Sequence, residues 1–172
     1  MQQLLDRSHR IASLLKARGE TVAVAESSTG GLVSAALLAV PGASAYFLGG
    51  AVIYTRVARR ALLDIDNAAM MDLRSATEPY ALLLAATVRD KHGATWGLGE
   101  SGAAGPAGNS YGDAAGHACF AVAGPPAEGE GQAFTIETAS PDRAENMRRF
   151  AAALFDLFIA KLDRSPAISP GA

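Results

Sequence analysis

Apolar positions along the 172-residue chain change period repeatedly, and the changes divide it into helix-like and strand-like pieces. Leu4, Ile11, Leu14 and Leu15 fall on one face of a helix that should stop at Gly19. The next run, "TVAVA", is short, apolar and β-prone, so a strand follows. After "AESSTGG" (residues 25–31), "LVSAALLAV" reads as a helix closed by Pro41 and Gly42. "GGAVIYT" sets Gly49 and Gly50 ahead of a β-rich run over residues 51–55, and "VARRALLDI" predicts a short helix. "SATEPYALLLAATVRDKHG" carries the clearest helix signal, with Ser75 and Thr77 as candidate caps, Pro79 in the first turn, an apolar face of Leu82, Leu83 and Ala86, and a closing Gly93.

"ATWGLGESG" predicts a glycine-containing strand that opens into the loop "AAGPAGNSYGDAAG". "HACFAVAG" and "QAFTIETA" predict two more strands, separated by the turn "PPAEGEG". Ser140, followed by Pro141, is the expected cap of a long last helix that buries Met147, Phe150, Leu154, Leu157 and Phe158. Helices alternating with strands predict a single three-layer α/β/α domain over residues 1–163, and the late pair of adjacent strands makes its mostly parallel sheet partly mixed. Residues 164–172, rich in Pro, Ser and Gly, read as a disordered tail.

Hydrophobic residues are 49% of the chain and charged residues 19%, enough apolar surface for a core without disulfides or structural metal. The net charge of −2, with no sustained basic run, speaks against nucleic acid and anionic membranes as partners, so any phosphate ligand should be small. Cys119 is the single cysteine and is expected to lie buried in a strand. The first residues lack the layout of a secretory signal, and no apolar run reaches the roughly 20 residues that span a bilayer, so a cytoplasmic protein is expected.

Three hydroxyl- or glycine-rich segments follow predicted strands: residues 26–31, 54–60 and 100–108. Ligands of open α/β sheets bind beyond the carboxyl ends of strands, so these segments should converge on one pocket. Within "AESSTGG" the hydroxyls could serve as helix caps, or the turn amides and helix dipole could face a phosphate or an oxyanion. Glu26 could orient Ser27, hold a ribose hydroxyl or be a solvated strand end, and Thr29, Gly30 and Gly31 could bind ligand or only build the turn. Ser101, Gly102 and Gly105 are candidates to donate backbone N–H groups to phosphate. No His, Asp or Glu cluster has metal-ligand spacing, so neither a metal nor another cofactor is expected. His117 is either a packed strand residue or a base facing the pocket.

The motifs "AESSTGG", "PGAS" at residues 41–44, "GAVIYT", "SATEP" and "SGAAGP", in this order, resemble the CinA carboxy-terminal domain family over nearly the whole chain. The resemblance implies a three-layer α/β/α fold in a stand-alone domain, and homo-oligomers, for which Met70 and Met71 are candidate interface residues. It also implies hydrolysis of the carboxamide of nicotinamide mononucleotide, a small-molecule nucleotide substrate, with release of ammonia. By motif, the nucleophile is Ser27, the assisting tyrosine is Tyr54, and Arg59 stands where the family has its lysine base; Ser28 stands where the family usually has cysteine. An arginine keeps its charge, so Arg59 cannot take a proton from serine. It could hold a phosphate or carboxylate, or lower the pKa of Tyr54 so that a phenolate accepts the proton. If the lysine's loss ended turnover, the pocket would be that of a non-catalytic nucleotide-binding module. No aromatic cluster is evident to stack on a pyridine ring.

Overall fold

The structure is a computed structural model that describes residues 2–125, 129 and 131–165. The turn expected at "PPAEGEG" therefore lies largely outside the described residues, as does most of the tail expected over residues 164–172; its first two residues are not disordered, since Arg164 ends the last helix and Ser165 is its buried C-cap. Helix α1 (Gln2–Arg18) leads into strand β1 (Val22–Glu26), helix α2 (Leu32–Leu38), strand β2 (Phe47–Val52), helices α3 (Arg56–Leu63) and α4 (Glu78–His92), strands β3 (Trp96–Ala103), β4 (His117–Ala123) and β5 (Gln132–Glu137), and helix α5 (Arg143–Arg164).

These strands form one sheet in the order β2-β1-β3-β4-β5. β1 pairs in parallel with β2 and β3, whereas β4 is antiparallel to both β3 and β5. Four strands thus point one way and β4 alone is reversed, so the fold is the mostly parallel, partly mixed sheet expected from the late strand pair.

Alternation along β1 explains the two different layers. Val22 and Val24 face a core of large side chains from α1, α2 and α5, including Ile11, Leu15, Phe150, Leu154 and Phe158. Ala23 and Ala25 face α4 on the other side. The α4 side is built of small residues because the helix lies almost on the sheet backbone: a Cβ on Gly97 would sit 1.9 Å from the Ala85 carbonyl oxygen, and one on Gly99 2.1 Å from that of Ala81. This approach sets the buried face of α4 as Ala81, Leu84, Ala85 and Val88. Leu82, Leu83 and Ala86, the face expected from periodicity, are only half-buried.

Two local expectations shift because tertiary contacts set the ends of elements, whereas the cap of α4 is one of the two residues expected. Gly49 and Gly50 lie inside β2, since a Cβ on Gly50 would meet the Ser34 hydroxyl oxygen of α2 at 2.0 Å. Helix α4 is capped by Thr77, which accepts from the Tyr80 amide. Helix α5 is capped by Asp142, which accepts from the Glu145 amide, while the expected cap Ser140 accepts from the Asp142 amide outside the helix. Cys119 is buried as expected. Of the two methionines expected at an interface, Met71 is exposed and Met70 half-buried. Among the described residues no helix is long and apolar enough to cross a membrane.

Gly99→Ala is expected to destabilise the protein by about 2–3 kcal/mol, because the new methyl meets backbone that cannot yield without displacing α4. Urea unfolding of the variant checks this against the wild type.

Candidate active site

The carboxyl ends of β1, β2 and β3 open on a crevice. Its position follows from topology: the connection leaving β1 through α2 and the one returning to β3 through α4 lie on opposite faces of the sheet. β3 pairs with β1 only as far as Gly99, so its last residues run on along the crevice.

The turn between β1 and α2 is organised from below. The Glu26 carboxylate, fully buried, accepts from the amides of Gly31, Val33 and Ser34 and from the hydroxyls of Thr29 and Ser34, at 2.6–3.1 Å. It neutralises the start of α2, whose own N-cap Gly31 has a left-handed backbone and no capping side chain. Glu100, also fully buried, accepts from the amides of Ser27 and Thr29 at 2.9 and 3.0 Å and is hydrogen-bonded to the hydroxyls of Ser28 and Thr29. Burial raises the Glu100 pKa, against the opposing hydrogen bonds from Ser28, Thr29 and Ser27. The hydroxyls of this turn therefore do not cap α2, and most of its amides point inward at carboxylates, away from any ligand.

Above the turn lies a pocket of about 380 Å³. Segments 26–31, 54–60 and 100–108 meet there, as expected, but they are joined by residues 75–80 and 109–111. Ser27, Tyr54, Arg59, Ser101 and Gly102 line it. The Ser27 hydroxyl makes no hydrogen bond to protein among the described residues. Tyr54 stands at the rim, where its hydroxyl receives a hydrogen bond from Arg143 at 3.2 Å. Arg59 is buried, donating from Nε to the Ile65 carbonyl at 3.2 Å and from Nη2 to Asn67 at 3.5 Å. Arg143, and not Arg59, is thus the cation bonded to the Tyr54 phenol.

The other candidates lie off the pocket. Glu26 and Thr29 are beneath it, with no free face for a ribose or phosphate. Gly30 and Gly31 enter α2, with Gly30 against Met147 and the Gly31 amide on Glu26. Gly105 packs against Pro141, and its carbonyl receives Arg143 at 2.7 Å. Gly102, by contrast, does line the pocket, but it is glycine for the sake of β4, since a Cβ there would meet the His117 carbonyl oxygen at 2.5 Å.

Sequence reasoning missed Glu100, Arg56, Tyr80, Tyr111 and Asn109. A carboxylate inside the apolar strand "WGLGESG" was the available signal for Glu100, because a buried charge demands donors. With Tyr54, the pocket holds three tyrosines, where no aromatic cluster was evident from the sequence, and among the described residues no carboxylate lines it. Tyr111 is the phenol shifted toward ionisation: a hydrogen bond with Ser75 and one with Arg56 lower its pKa, reinforced by the charges of Arg56 and Arg59. Its loop is braced by Asn109, whose side-chain oxygen accepts from the amides of Tyr111 and Asp113. Burial raises the pKa of Tyr80, and Arg59 opposes the rise.

The pattern of the CinA C-terminal domain matches residues 5–162. The chain belongs to the CinA C-terminal domain family. A CinA-like protein of Prochlorococcus marinus is 44% identical over 115 residues, covering 67% of this chain and 27% of that protein. One of Gloeobacter violaceus is 38% identical over 138 residues, covering 80% of this chain and 32% of that protein. The chain thus spans about a third or less of the length of these relatives. Solved structures agree on the fold: a CinA superfamily protein of Klebsiella pneumoniae superposes with a TM-score of 0.86 at 25% identity, covering 94% of this chain and 99% of that one. A competence or damage-inducible protein of Enterobacter asburiae gives 0.84 at 28% identity, covering 92% and 98%.

Behind the pocket wall of this CinA domain, His117 does not face the cavity. Its Nδ1 lies 2.5 Å from Glu137 Oε1 and its Nε2 3.0 Å from the Ala76 carbonyl. Both partners are acceptors, so the doubly protonated ring is the form that satisfies both contacts. Burial lowers its pKa, but Glu137, the Ala76 carbonyl and the charge of Asp113 outweigh burial and raise it above 6.5. Ala76, held this way, has a left-handed backbone (φ 57°) and donates its amide to Ser101 Oγ at 3.2 Å. The stabilisation by His117 is complete below the unfolded-state pKa and is lost as pH rises through the raised folded-state value. The wild-type melting temperature should therefore fall, relative to His117→Gln, as pH rises from about 6.5 upward. Thermal unfolding of both proteins across this range checks it; parallel curves would refute the clamp.

Proposed function

We propose that this protein hydrolyses the carboxamide of nicotinamide mononucleotide, or of a close pyridine nucleotide, to the carboxylate and ammonia. The observation that carries the reading is that Ser27, with its hydroxyl unengaged, shares one pocket with Arg56, Arg59 and three tyrosines and with no lining carboxylate. Such a lining suits an anionic ligand with an aromatic ring. Ser27 Oγ attacks the carboxamide carbon, the nitrogen leaves as ammonia, and water cleaves the acyl-enzyme. The oxyanion falls to the Ser28 amide, the one amide of residues 27–31 without a partner among the described residues.

The proton acceptor is the remaining question, because Arg59 stays charged. Tyr111, whose pKa Ser75 and Arg56 lower, takes that role as its phenolate, accepting the Ser27 proton and passing it to the departing nitrogen, and Tyr54 with Arg143 closes the rim. Arg56 is exposed and meets the phosphate; Arg59 adds charge from behind.

Burial of Arg59 on the Ile65 carbonyl favours a second reading, a nucleotide-binding module in which the former base has become a structural strut. Ammonia release from nicotinamide mononucleotide by purified protein separates the two. The deamidase reading expects release by the wild type and none by Ser27→Ala, whose unbonded hydroxyl should cost less than about 0.5 kcal/mol of stability. An inactive wild type with activity gained by Arg59→Lys would instead support the binding module.

A further inference from the structure

Beneath Ser27, two fully buried carboxyl groups meet through a single hydroxyl. Thr29 Oγ1 lies 2.7 Å from Glu26 Oε2 and 2.9 Å from Glu100 Oε2. Both distances require a hydrogen between the oxygens, and the threonine carries only one. If both carboxyls were ionised, one of them would face an oxygen lone pair in a site sealed from water. The two charges would also be no further apart than the two hydrogen bonds through Thr29 allow. No Lys, Arg or His among the described residues hydrogen-bonds or ion-pairs with either group. The other side chains bonded to the pair are the hydroxyls of Ser28 and Ser34, and β4 places Phe120 opposite Glu100.

The two carboxyls are not equivalent. Apart from the hydroxyls of Thr29 and Ser34, Glu26 accepts three amides at the start of α2, donors that can only serve an acceptor. Glu100 accepts two amides and lies between two hydroxyl oxygens that can receive a hydrogen as well as give one. The missing hydrogen belongs on Glu100.

We propose that Glu100 is a neutral carboxylic acid in the folded protein and, in that form, the positioning residue that seats Ser27. Its Oε2 holds the amides on either side of Ser28, fixing the turn from which Ser27 enters the pocket. Being neutral, it does so without a second full negative charge beneath a reacting centre that must itself become anionic. This second half rests on the amide-hydrolysis reading; the protonation state does not.

Infrared spectroscopy on the whole protein tests the first half without any substrate. The wild type at neutral pH is expected to show a protonated carboxyl C=O band that E100Q lacks. T29V, which removes the hydroxyl partner and no carboxyl, should shift that band, and it serves as the assignment if E100Q does not fold. Absence of the band from the wild type, or its persistence in E100Q, overturns the proposal. E100D, which withdraws the acid by one methylene, tests positioning: about a tenfold or greater loss in kcat at little-changed KM is expected. A loss confined to KM, or one that merely tracks the fraction unfolded, overturns the positioning role. A wild type with the band but no ammonia release refutes the deamidase reading alone.

Discussion

The constraint on which the site depends is the satisfaction of the backbone at the β1–α2 turn. A strand that ends in the middle of a sheet and turns at once into a helix leaves a cluster of N–H groups with no ladder or helical partner. Here two buried glutamates, one ending β1 and one from the neighbouring β3, accept five of those amides: Ser27, Thr29, Gly31, Val33 and Ser34. The bonds tie the turn to both central strands. Ser27 consequently projects from a platform whose hydrogen-bonding capacity is used internally, which differs from a glycine-rich loop that offers its amides to a phosphate.

It follows that recognition in the crevice is left to side chains. The arginines and Tyr54 come from the segment after β2, Tyr80 from α4, Tyr111 from the loop after β3, and each is braced separately. Arg59 rests on Ile65, Tyr111 on a loop tied by Asn109, and Tyr54 on Arg143 of α5. The Ala76 wall is held from one side by His117 and from the other by Ser101. A pocket assembled from so many elements depends on the close seating of α4, which the glycines of β3 permit.

Much of this was legible in the order of apolar and glycine-rich segments. Element order, the mixed sheet and the convergence of three post-strand segments follow from local pattern, because periodicity and breaker residues report local geometry directly. Leu82 and Leu83 were misread because α4 takes its buried face from the shape of the sheet, where Ala81 and Ala85 fit against Gly97 and Gly99 and larger side chains do not. Gly30 and Gly31 could be read as ligand contacts or as turn residues, and they serve the entry into α2; a positive φ by itself says nothing about what lies opposite. Glu100 and Tyr111 are distant in sequence from the motif they serve, and pairing across 73 positions leaves no periodic trace.

The central claim, that the turn amides are spent on buried carboxyl groups, can be tested amide by amide through hydrogen exchange followed by NMR in the ligand-free protein. Ser27, Thr29, Gly31 and Ser34 are predicted to exchange as slowly as the core of β3, through openings close to global unfolding. Exchange of these amides as fast as that of residues 109–112 in the pocket loop would contradict the account.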